Sequence, residues 1–145
     1  MIKKERSLLD TRSDLGETLL HWMAVENNLS AVVTLMDLGS AIDTVNHFGS
    51  TPLQDAVQLG NTEICLELLT RGASVTHVDD VGESVLGTAT GLKRHTGLVK
   101  ALLDRLPAEM PLTDLIDDLT LEEIRSRNDP VASLMRARSI PPGTV

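Results

Sequence analysis

The stretch that decides the fold is residues 49–82, GSTPLQDAVQLGNTEICLELLTRGASVTHVDDVG. The same pattern begins one repeat length earlier, at Gly16, and one repeat length later, at Gly82, so that the first glycines of the three copies are evenly spaced. In all three copies a hydroxyl residue lies two positions after the glycine, and a leucine lies two positions after the hydroxyl residue: Thr18, Thr51 and Ser84, followed by Leu20, Leu53 and Leu86. Self-similarity at a fixed period of this length is typical of stacked repeats. The sequence therefore predicts one structural unit that is repeated along the chain.

Each repeat has a local structure that its residues predict. The glycine permits a tight turn with a positive φ angle. Thr51 is a favourable helix N-cap, and Pro52 behind it suits the first helical position. We therefore expect a short helix over about residues 52–59, and a second helix from Glu63 to Thr70 that ends before a C′ glycine. Residues 75–82 are expected to project as an extended finger toward the next repeat.

The repeated unit resembles the ankyrin repeat, whose motif is G-x-T-P-L-H-x-A, then G-[HN]-x-E-I-V-x-L-L-L, then G-A-x-V. Residues 49–75 match this motif closely, at Gly49, Thr51, Pro52, Leu53, Ala56, Gly60, Asn61, Glu63, Ile64, Leu68, Leu69, Gly72, Ala73 and Val75. Residues 16–42 match more loosely, with Asn27 where glycine is usual, and residues 82–106 least, with Gly87 in place of histidine. The resemblance covers roughly residues 7–106. It implies an all-α ankyrin-repeat solenoid of helix-turn-helix units with projecting β-turn fingers.

The same pattern divides a single domain, residues 1–145, into parts. We expect an N-terminal cap (1–15), repeats at 16–48, 49–81 and 82–106, a helical C-terminal cap (107–138) and a loose tail (139–145). Beyond Leu106 the repeated pattern is no longer recognisable. Apolar spacing in the cap predicts a helix over residues 112–119, and Thr120 with Glu123 predicts a capping box that begins another. A last helix is expected from Val131 to Arg138.

Composition limits the classes of protein to which the chain can belong. It has 145 residues, a formal net charge of −8, one Trp, one Phe and no Tyr. Few aromatic residues suit a solenoid, whose thin core is filled by Leu, Val and Ala. An acidic chain without a basic surface is not expected to bind nucleic acid. The lone Cys65 excludes an intramolecular disulfide. We expect no signal peptide, no membrane segment and a cytoplasmic protein that is a monomer when free.

No group of residues predicts catalysis, and we expect neither an enzyme nor a cofactor or metal site. The four histidines are scattered without metal-ligand spacing: His21, His47, His77 and His95. His21 matches the histidine of the ankyrin motif, which the resemblance implies ties one repeat to the turn of the next by hydrogen bonds. The carboxylate pairs at residues 79–80 and 117–118 are adjacent in sequence, so their side chains are expected to point in different directions into solvent.

The charges are distributed unevenly along the chain. From Ser13 to Leu92 there are eleven acidic residues against one basic residue, Arg71, and the remainder of the chain is slightly positive. The ankyrin resemblance places partner contacts on the finger tips and on the inward-facing first helices. Carried over position by position, the expected contact residues are Asp14, Leu15, Glu17, Trp22, Val25, Glu26, His47, Phe48, Ser50, Asp55, Gln58, Leu59, Asp80, Val81 and Glu83. The acidic residues could equally serve solubility, and Trp22 could pack between repeats.

These observations predict a non-catalytic protein–protein interaction module that binds a basic protein through an acidic concave face. The more specific hypothesis is a stoichiometric inhibitor, similar to the small ankyrin immunity proteins that neutralise a bacterial toxin by covering a basic active site. The alternative is a scaffold or adaptor that recruits partner proteins. An adaptor would need a second contact site, for which the basic residues of the C-terminal cap are candidates: Arg125, Arg127, Arg136 and Arg138.

Overall fold

The computed structural model of the protein describes residues 8–91 and 95–138. Part of the predicted N-terminal cap and the whole predicted tail therefore lie outside the described residues. Within them the chain forms eight α-helices and one 3-10 turn, and no strand. The helices are α1 (Leu19–Val25), α2 (Leu29–Asp37), α3 (Pro52–Gln58), α4 (Thr62–Thr70), α5 (Val85–Gly91), α6 (Thr96–Arg105), α7 (Asp118–Ser126) and α8 (Pro130–Arg138), and the 3-10 turn is Leu112–Asp114.

The first helices of the repeats begin where the hydroxyl residues predict. Thr18 and Thr51 are N-caps, and their side chains accept hydrogen bonds from the backbone N–H groups of His21 and Gln54. The side chains of His21 and Gln54 bond in return to the N–H groups of the two threonines, which completes a capping box at each helix. Pro52 occupies the first turn of α3. The predicted N-cap at Thr51 and the predicted place of Pro52 are confirmed.

Two turn positions need a backbone that most residues disfavour. Gly49 has φ +74°, and a Cβ placed there would lie 2.8 Å from the backbone nitrogen of Asp80 on the following finger. Only a residue without a side chain allows the two fingers to approach so closely. Asn27 has φ +57°, and it takes the place that Gly60, with φ +72°, occupies in the next repeat. Asn27 thus adopts the left-handed conformation of the glycine that is usual at this position.

The helices pack in two layers. The inner helices α1, α3 and α5 pack side by side, and the outer helices α2, α4 and α6 do the same, with α8 continuing the outer row. Within each repeat the inner helix also packs against its outer helix. The repeated leucines are buried between the layers, together with the outer-helix residues Ile64, Leu68, Leu98 and Leu102. Stacked repeats share one continuous core in this way, and the predicted all-α ankyrin-repeat solenoid is confirmed.

The C-terminal segment differs from the prediction. The expected helix over residues 112–119 is only a 3-10 turn, and α7 begins at Asp118 rather than at a capping box of Thr120 and Glu123. Its N-cap is Asp117, whose carboxylate accepts the N–H of Thr120 at 3.0 Å. Positions 18, 51, 84 and 117 are evenly spaced, so Asp117 continues the series of N-cap positions into the cap. The expectation that the pattern ends at Leu106 was wrong because the finger is missing while the helix pair is retained.

One contact repeats across this boundary. The side chain of Asn61 donates to the backbone oxygen of Ala24 at 2.8 Å, and Arg127 donates to the backbone oxygen of Thr90 at 3.0 Å. Both bonds span 37 residues, and both run from the connection between an inner and an outer helix to the inner helix of the repeat before. Arg127 therefore does for the cap what Asn61 does inside the stack. The last helix, α8, confirms the predicted helix that ends at Arg138.

Candidate functional site

The base of each finger is closed by one side chain that accepts two backbone N–H groups. Asn46 Oδ1 accepts from Phe48 and Ser50 at 2.9 and 3.0 Å, and Asp79 Oδ1 accepts from Val81 and Glu83 at 3.0 and 2.8 Å. Ser13 Oγ accepts from Leu15 and Glu17 in the same pattern, at 3.2 Å in both cases. Sequence analysis missed these residues, although their even spacing, at positions 13, 46 and 79, and their turn-forming side chains are a readable signal.

Neighbouring fingers are joined directly near their tips. The N–H of His47 donates to the backbone oxygen of Leu15 at 2.8 Å, and the N–H of Asp80 donates to that of Phe48 at 3.1 Å. The three tips thereby form one row. Its apolar members are Leu15, Phe48 and Val81, all exposed, with Val81 88% accessible.

The inner helices are fixed to the fingers that follow them by buried polar contacts. His21 is fully buried, and its Nδ1 accepts the backbone N–H of Thr18 at 3.2 Å. Its Nε2 therefore carries the proton and donates to the backbone oxygen of Ser50 at 3.0 Å. The structural role predicted for His21 is confirmed. In the next repeat Gln54 makes the equivalent bond to Glu83, at 2.9 Å.

Where the third repeat lacks this side chain, a neighbouring residue replaces it. Gly87 stands at the equivalent position, and the hydroxyl of Ser84 donates instead to the backbone oxygen of Leu115 at 2.7 Å. The third repeat is thus joined to the C-terminal cap by a shorter side chain that lies one helical turn earlier. All three contacts hold the fingers, or their remnant, at a fixed distance from the inner helices.

We call the exposed side chains of the finger tips and of α1, α3 and α5 the inner surface. Most of the predicted contact residues lie on it and are exposed: Asp14, Leu15, Trp22, Val25, Glu26, His47, Phe48, Gln58, Leu59, Asp80, Val81 and Glu83. Glu17 and Asp55 are half-buried. Ser50 is buried and its hydroxyl donates to Asp55 at 2.7 Å, so it supports the surface and does not form part of it.

Trp22 is 48% exposed, so about half of its side chain is accessible to solvent. It lies on α1 at the N-terminal end of the inner surface, where it lines a cavity with Leu19 and residues of the first finger. A large aromatic side chain in such a position offers apolar area to a binding partner. Phe48 is 60% exposed on the second finger.

The inner surface is acidic, and on the fingers and inner helices within residues 8–91 the one basic side chain of the Lys or Arg type is that of Arg12, whose Nη1 donates to the backbone oxygens of Gly16 and Val45. The other residue of this type in that range is Arg71, which lies at the end of α4 in the outer layer. Its guanidinium is paired with Asp37 at 2.7 Å and with Glu67 at 2.8 Å. Burial raises the pKa of the Asp55 carboxyl and the charge of Glu17 adds to this, while the Ser50 hydrogen bond and His21 lower it.

Three arginines of the C-terminal cap, Arg127, Arg136 and Arg138, have internal partners, whereas the buried Nε of Arg125 has none. Arg127 pairs with Asp129 at 2.7 Å, and this contact lowers the pKa of the Asp129 carboxyl. Arg136 donates to the backbone oxygens of Arg125 and Arg127 at 2.6 and 3.0 Å, where α7 ends. Arg138 donates to the backbone oxygen of Pro107. These side chains therefore hold the cap together, which leaves them less available for a second contact site.

Metal-ligand groups and a reactive thiol can each be checked in the described residues. Residues 8–91 and 95–138 contain no group of three His, Cys, Asp or Glu side chains that could hold a metal ion. Burial raises the pKa of Cys65 to about 12, so its thiol is not a nucleophile at neutral pH. Of the two aspartate pairs, Asp79 closes a finger and Asp117 caps a helix. No helix within these ranges has both the length and the apolar character to cross a membrane.

Comparison with known proteins agrees with the geometry. The family model for ankyrin repeats (3 copies) matches residues 2–79, which is more than half of the chain. The chain is 33% identical over 82 residues to the transient receptor potential cation channel subfamily A member 1 homolog of Caenorhabditis elegans, covering 57% of this chain and 7% of that protein. It is 37% identical over 68 residues to human SH3 and multiple ankyrin repeat domains protein 2, covering 47% and 4%.

A third relative aligns over more of the chain. Human SMC5-SMC6 complex localization factor protein 1 is 30% identical over 120 residues, which is 75% of this chain and 11% of that protein. The chain thus spans about a tenth or less of the length of these three relatives. What they share with it is the repeat. The chain belongs to the ankyrin-repeat family, whose stacked repeats form protein–protein interaction modules.

Proposed function

We propose that the inner surface binds a basic protein, and that the exposed aromatic side chains Phe48 and Trp22 anchor the complex. The observation that carries the proposal is the separation of charge between the two layers. On the outer layer Arg71 is paired with two carboxylates, whereas the acidic residues of the fingers and inner helices within residues 8–91 share their surface with a single arginine, Arg12, whose Nη1 donates to backbone oxygens. A surface of this kind attracts a positive partner and repels a negative one.

The apolar side chains supply the affinity that surface charges alone do not. Exposed ion pairs contribute little, because water and salt screen them. Aromatic residues surrounded by charged ones are typical of the few positions that dominate a binding energy. Phe48 stands in the middle of the row of finger tips, with Asp80 joined to it through the backbone. The acidic residues would thus determine the rate of association and the choice of partner, and Phe48 would determine the lifetime of the complex.

We propose as the more specific function that the protein is a stoichiometric inhibitor of a toxin or effector domain. An acidic surface with a rigid backbone can cover a basic active site, such as one that cleaves nucleic acid, and can imitate the charge of its substrate. The adaptor alternative requires a second contact surface, and three of its four candidate arginines, Arg127, Arg136 and Arg138, are engaged within the cap. We therefore expect one dominant partner.

The test begins with co-purification from the native cell and continues with purified components. The triple variant Asp14→Asn/Glu26→Gln/Asp80→Asn removes three charges from the inner surface. Its matched control, Glu63→Gln/Asp104→Asn/Glu109→Gln, removes three exposed charges elsewhere, none of which forms an ion pair within the described ranges. We expect the first variant to associate more slowly and with a weaker dependence on salt, and the control to behave as wild type. Equal behaviour of the two variants would contradict the proposal.

The aromatic anchor is tested separately. Phe48→Ala/Asp80→Ala should weaken the complex by about 30-fold or more, the effect of losing a contact worth about 2 kcal/mol. Its far-UV circular dichroism should match wild type, because both side chains are exposed. The inhibitor hypothesis predicts one tight partner whose activity is abolished at a one-to-one ratio. Several partners that bind together would favour the adaptor.

A further inference from the structure

A buried turn replaces the fourth finger, and two residues account for the change. One repeat length after Asp79 and Gly82, which close and turn the third finger, stand Leu112 and Leu115. A leucine side chain accepts no hydrogen bond from backbone N–H groups, and leucine disfavours the positive φ of +86° that Gly82 adopts. Both leucines are buried in the core instead, and the 3-10 turn stands at the sequence position of the finger.

The row of backbone hydrogen bonds along the finger tips therefore stops at Val81. Each of the first two tips accepts an N–H of the next finger through its backbone oxygen, as Phe48 does from Asp80 at 3.1 Å. The next bond of this series would join the N–H of Thr113 to the oxygen of Val81, and it is not formed. Within the described residues the Val81 oxygen accepts no hydrogen bond, and Val81 is almost fully exposed. The third finger thus ends in a free acceptor.

A cavity of about 280 Å³ lies beside the third finger, where the chain turns into α7. Gly87 lines it and has no side chain, whereas His21 and Gln54 at the same position of the other repeats reach the following finger. In addition, α5 makes no contact with α7 comparable to its contact with α3. A cavity of roughly 150 Å³ already holds a benzene-sized group. This one, between residues 81–87 and 115–120, has room for one long side chain.

The lining of this cavity has few free donors. Seven of its eight residues have their backbone N–H groups bonded within the protein. Among the acceptors, the Val81 oxygen is free, and the carboxylate of Glu83 accepts only the Thr88 hydroxyl, at 3.3 Å, within the described residues. Asp117 adds a second carboxylate, and its contacts with Thr120 lower its pKa, so it is charged at neutral pH. A positive group with several donors complements such a lining.

The walls of the cavity are acidic. Residues 72–91 and 106–124, which supply them, contain nine acidic residues and no Lys or Arg. Two arginines reach these segments from elsewhere in the cap, Arg127 and Arg138, and both donate to backbone oxygens. Neither of them lines the cavity. Charge complementarity therefore favours a basic occupant.

We propose that an extended segment of the protein partner fills this gap as a fourth finger, with a backbone N–H bonded to the Val81 oxygen and an arginine side chain in the cavity beside Glu83 and Asp117. The inference rests on the proposed function and names the part of the partner that is recognised. Five N–H donors in a planar fork suit several acceptors better than the point charge of a lysine does. The addition of an extended segment to an open edge is a common mode of peptide recognition.

NMR spectroscopy of the full, isotope-labelled chain measures binding of a model finger. The probe is a cyclic hairpin peptide with one arginine at its turn, and the control is the same peptide with citrulline, which has a similar shape and no charge. The amide signals of Gly82 and Gly87 report on the gap, since Gly82 shares a peptide bond with the Val81 oxygen. We expect saturable shifts of both signals, with binding of the citrulline peptide at least tenfold weaker.

Three results of this titration would overturn the proposal. The first is an absence of shifts at Gly82 and Gly87, and the second is an equal response to the citrulline peptide. The third is a shift of the same two signals when the protein alone is diluted, because a second copy of the chain would then already fill the gap. The amides of Gly39 and Gly72, at the ends of outer helices, should not respond to the peptide.

Matched variants test the location. Gly87→Gln fills the gap from inside with the side chain that Gln54 has, and Gly97→Gln makes the same change on the outer helix α6. A Cβ at position 87 lies 3.1 Å from Glu83 Oε1, the mobile end of a side chain, and one at position 97 meets nothing within 4 Å. Both variants should melt no lower than wild type, since glycine is a poor helix former. We expect Gly87→Gln to bind the arginine peptide at least tenfold more weakly and Gly97→Gln as wild type. Equal binding by both would overturn the proposal.

A charge variant separates this inference from the proposed function. Asp117→Asn removes a charge of the gap that lies outside the inner surface, and asparagine caps a helix as well as aspartate does. Its control is Asp104→Asn, at an equally exposed class of position on α6. We expect Asp117→Asn to bind the natural partner at least fivefold more weakly than the control. If Asp117→Asn and Gly87→Gln bind the partner as wild type while the acidic triple variant weakens it, the fourth-finger inference fails and the proposed function stands. If the triple variant has no effect, the proposed function fails, whatever the peptide does.

Discussion

The contact between His21 and the second finger permits a sharp test of how the repeats are joined. The imidazole is fully buried, accepts the N–H of Thr18 at 3.2 Å and donates to the oxygen of Ser50 at 3.0 Å. The variant His21→Ala removes both bonds, and the methyl side chain is too short to replace them. In the next repeat Gln54 makes the equivalent pair of bonds, at 3.1 and 2.9 Å. His21→Gln is therefore the variant expected to restore what His21→Ala loses.

The expected magnitude follows from the groups that lose their partners. A buried donor or acceptor without a partner costs about 1–3 kcal/mol, so two of them cost about 2–6 kcal/mol. Domains of this kind are stable by only about 5–15 kcal/mol, so His21→Ala removes a large part of the free energy of unfolding. His21→Gln keeps both bonds and changes the volume little, and we expect it to cost less than about 1.5 kcal/mol.

Urea unfolding followed by circular dichroism measures these free energies. At about 2–4 °C per kcal/mol for a chain of this size, His21→Ala should also lower the melting temperature by about 4 °C at the least. The reasoning would be refuted by a His21→Ala variant within about 1 kcal/mol of wild type, since water would then satisfy the buried groups. It would equally be refuted if His21→Gln lost as much stability as His21→Ala.

Three further predictions concern other positions. Gly49→Ala should destabilise the protein more than Gly72→Ala in urea unfolding, because both have positive φ but only at position 49 would the new Cβ approach the backbone of Asp80, at 2.8 Å. The raised pKa of Asp55 means that its contribution to stability is fully present below the usual pKa of 3.8 and is lost as pH rises through the raised pKa. Asp55→Asn should therefore remove a decline in stability over that pH window, as a pH series of unfolding curves would show. Cys65, with a pKa of about 12 and no exposure, should react with a thiol reagent only as the protein unfolds, so its labelling rate in urea should follow the unfolded fraction.

Local signals were sufficient to predict the fold. The N-cap threonines, the proline behind one of them and the glycine that ends α4 act within a few residues of their own position, so the sequence carries them directly. The C-terminal cap was predicted less well, because there an aspartate replaces the hydroxyl N-cap and the finger is absent. Asp117 caps a helix as well as a threonine does, so a search by residue class instead of residue identity would have found the fourth N-cap position.

The candidate site was harder to predict, because its residues are positioned by contacts between segments that are far apart in the sequence. Ser50 was expected on the surface from its position on a finger. The structure buries it, since the backbone oxygen of Ser50 meets His21 and its hydroxyl meets Asp55.

Repetition inside the chain separates structural residues from those that are free to bind. Positions that are buried and occupied by the same residue type in every repeat serve the packing of the stack, as the leucines at 20, 53 and 86 do. The position of Trp22 is occupied by Asp55 and Thr88 in the other repeats, so the stack does not require an aromatic residue there. The finger tips Leu15, Phe48 and Val81 are a third case, since they repeat as apolar residues and yet are exposed. Packing does not explain that repetition, whereas the partner proposed above would, because an extended row of exposed apolar side chains is typical of a surface that another protein covers.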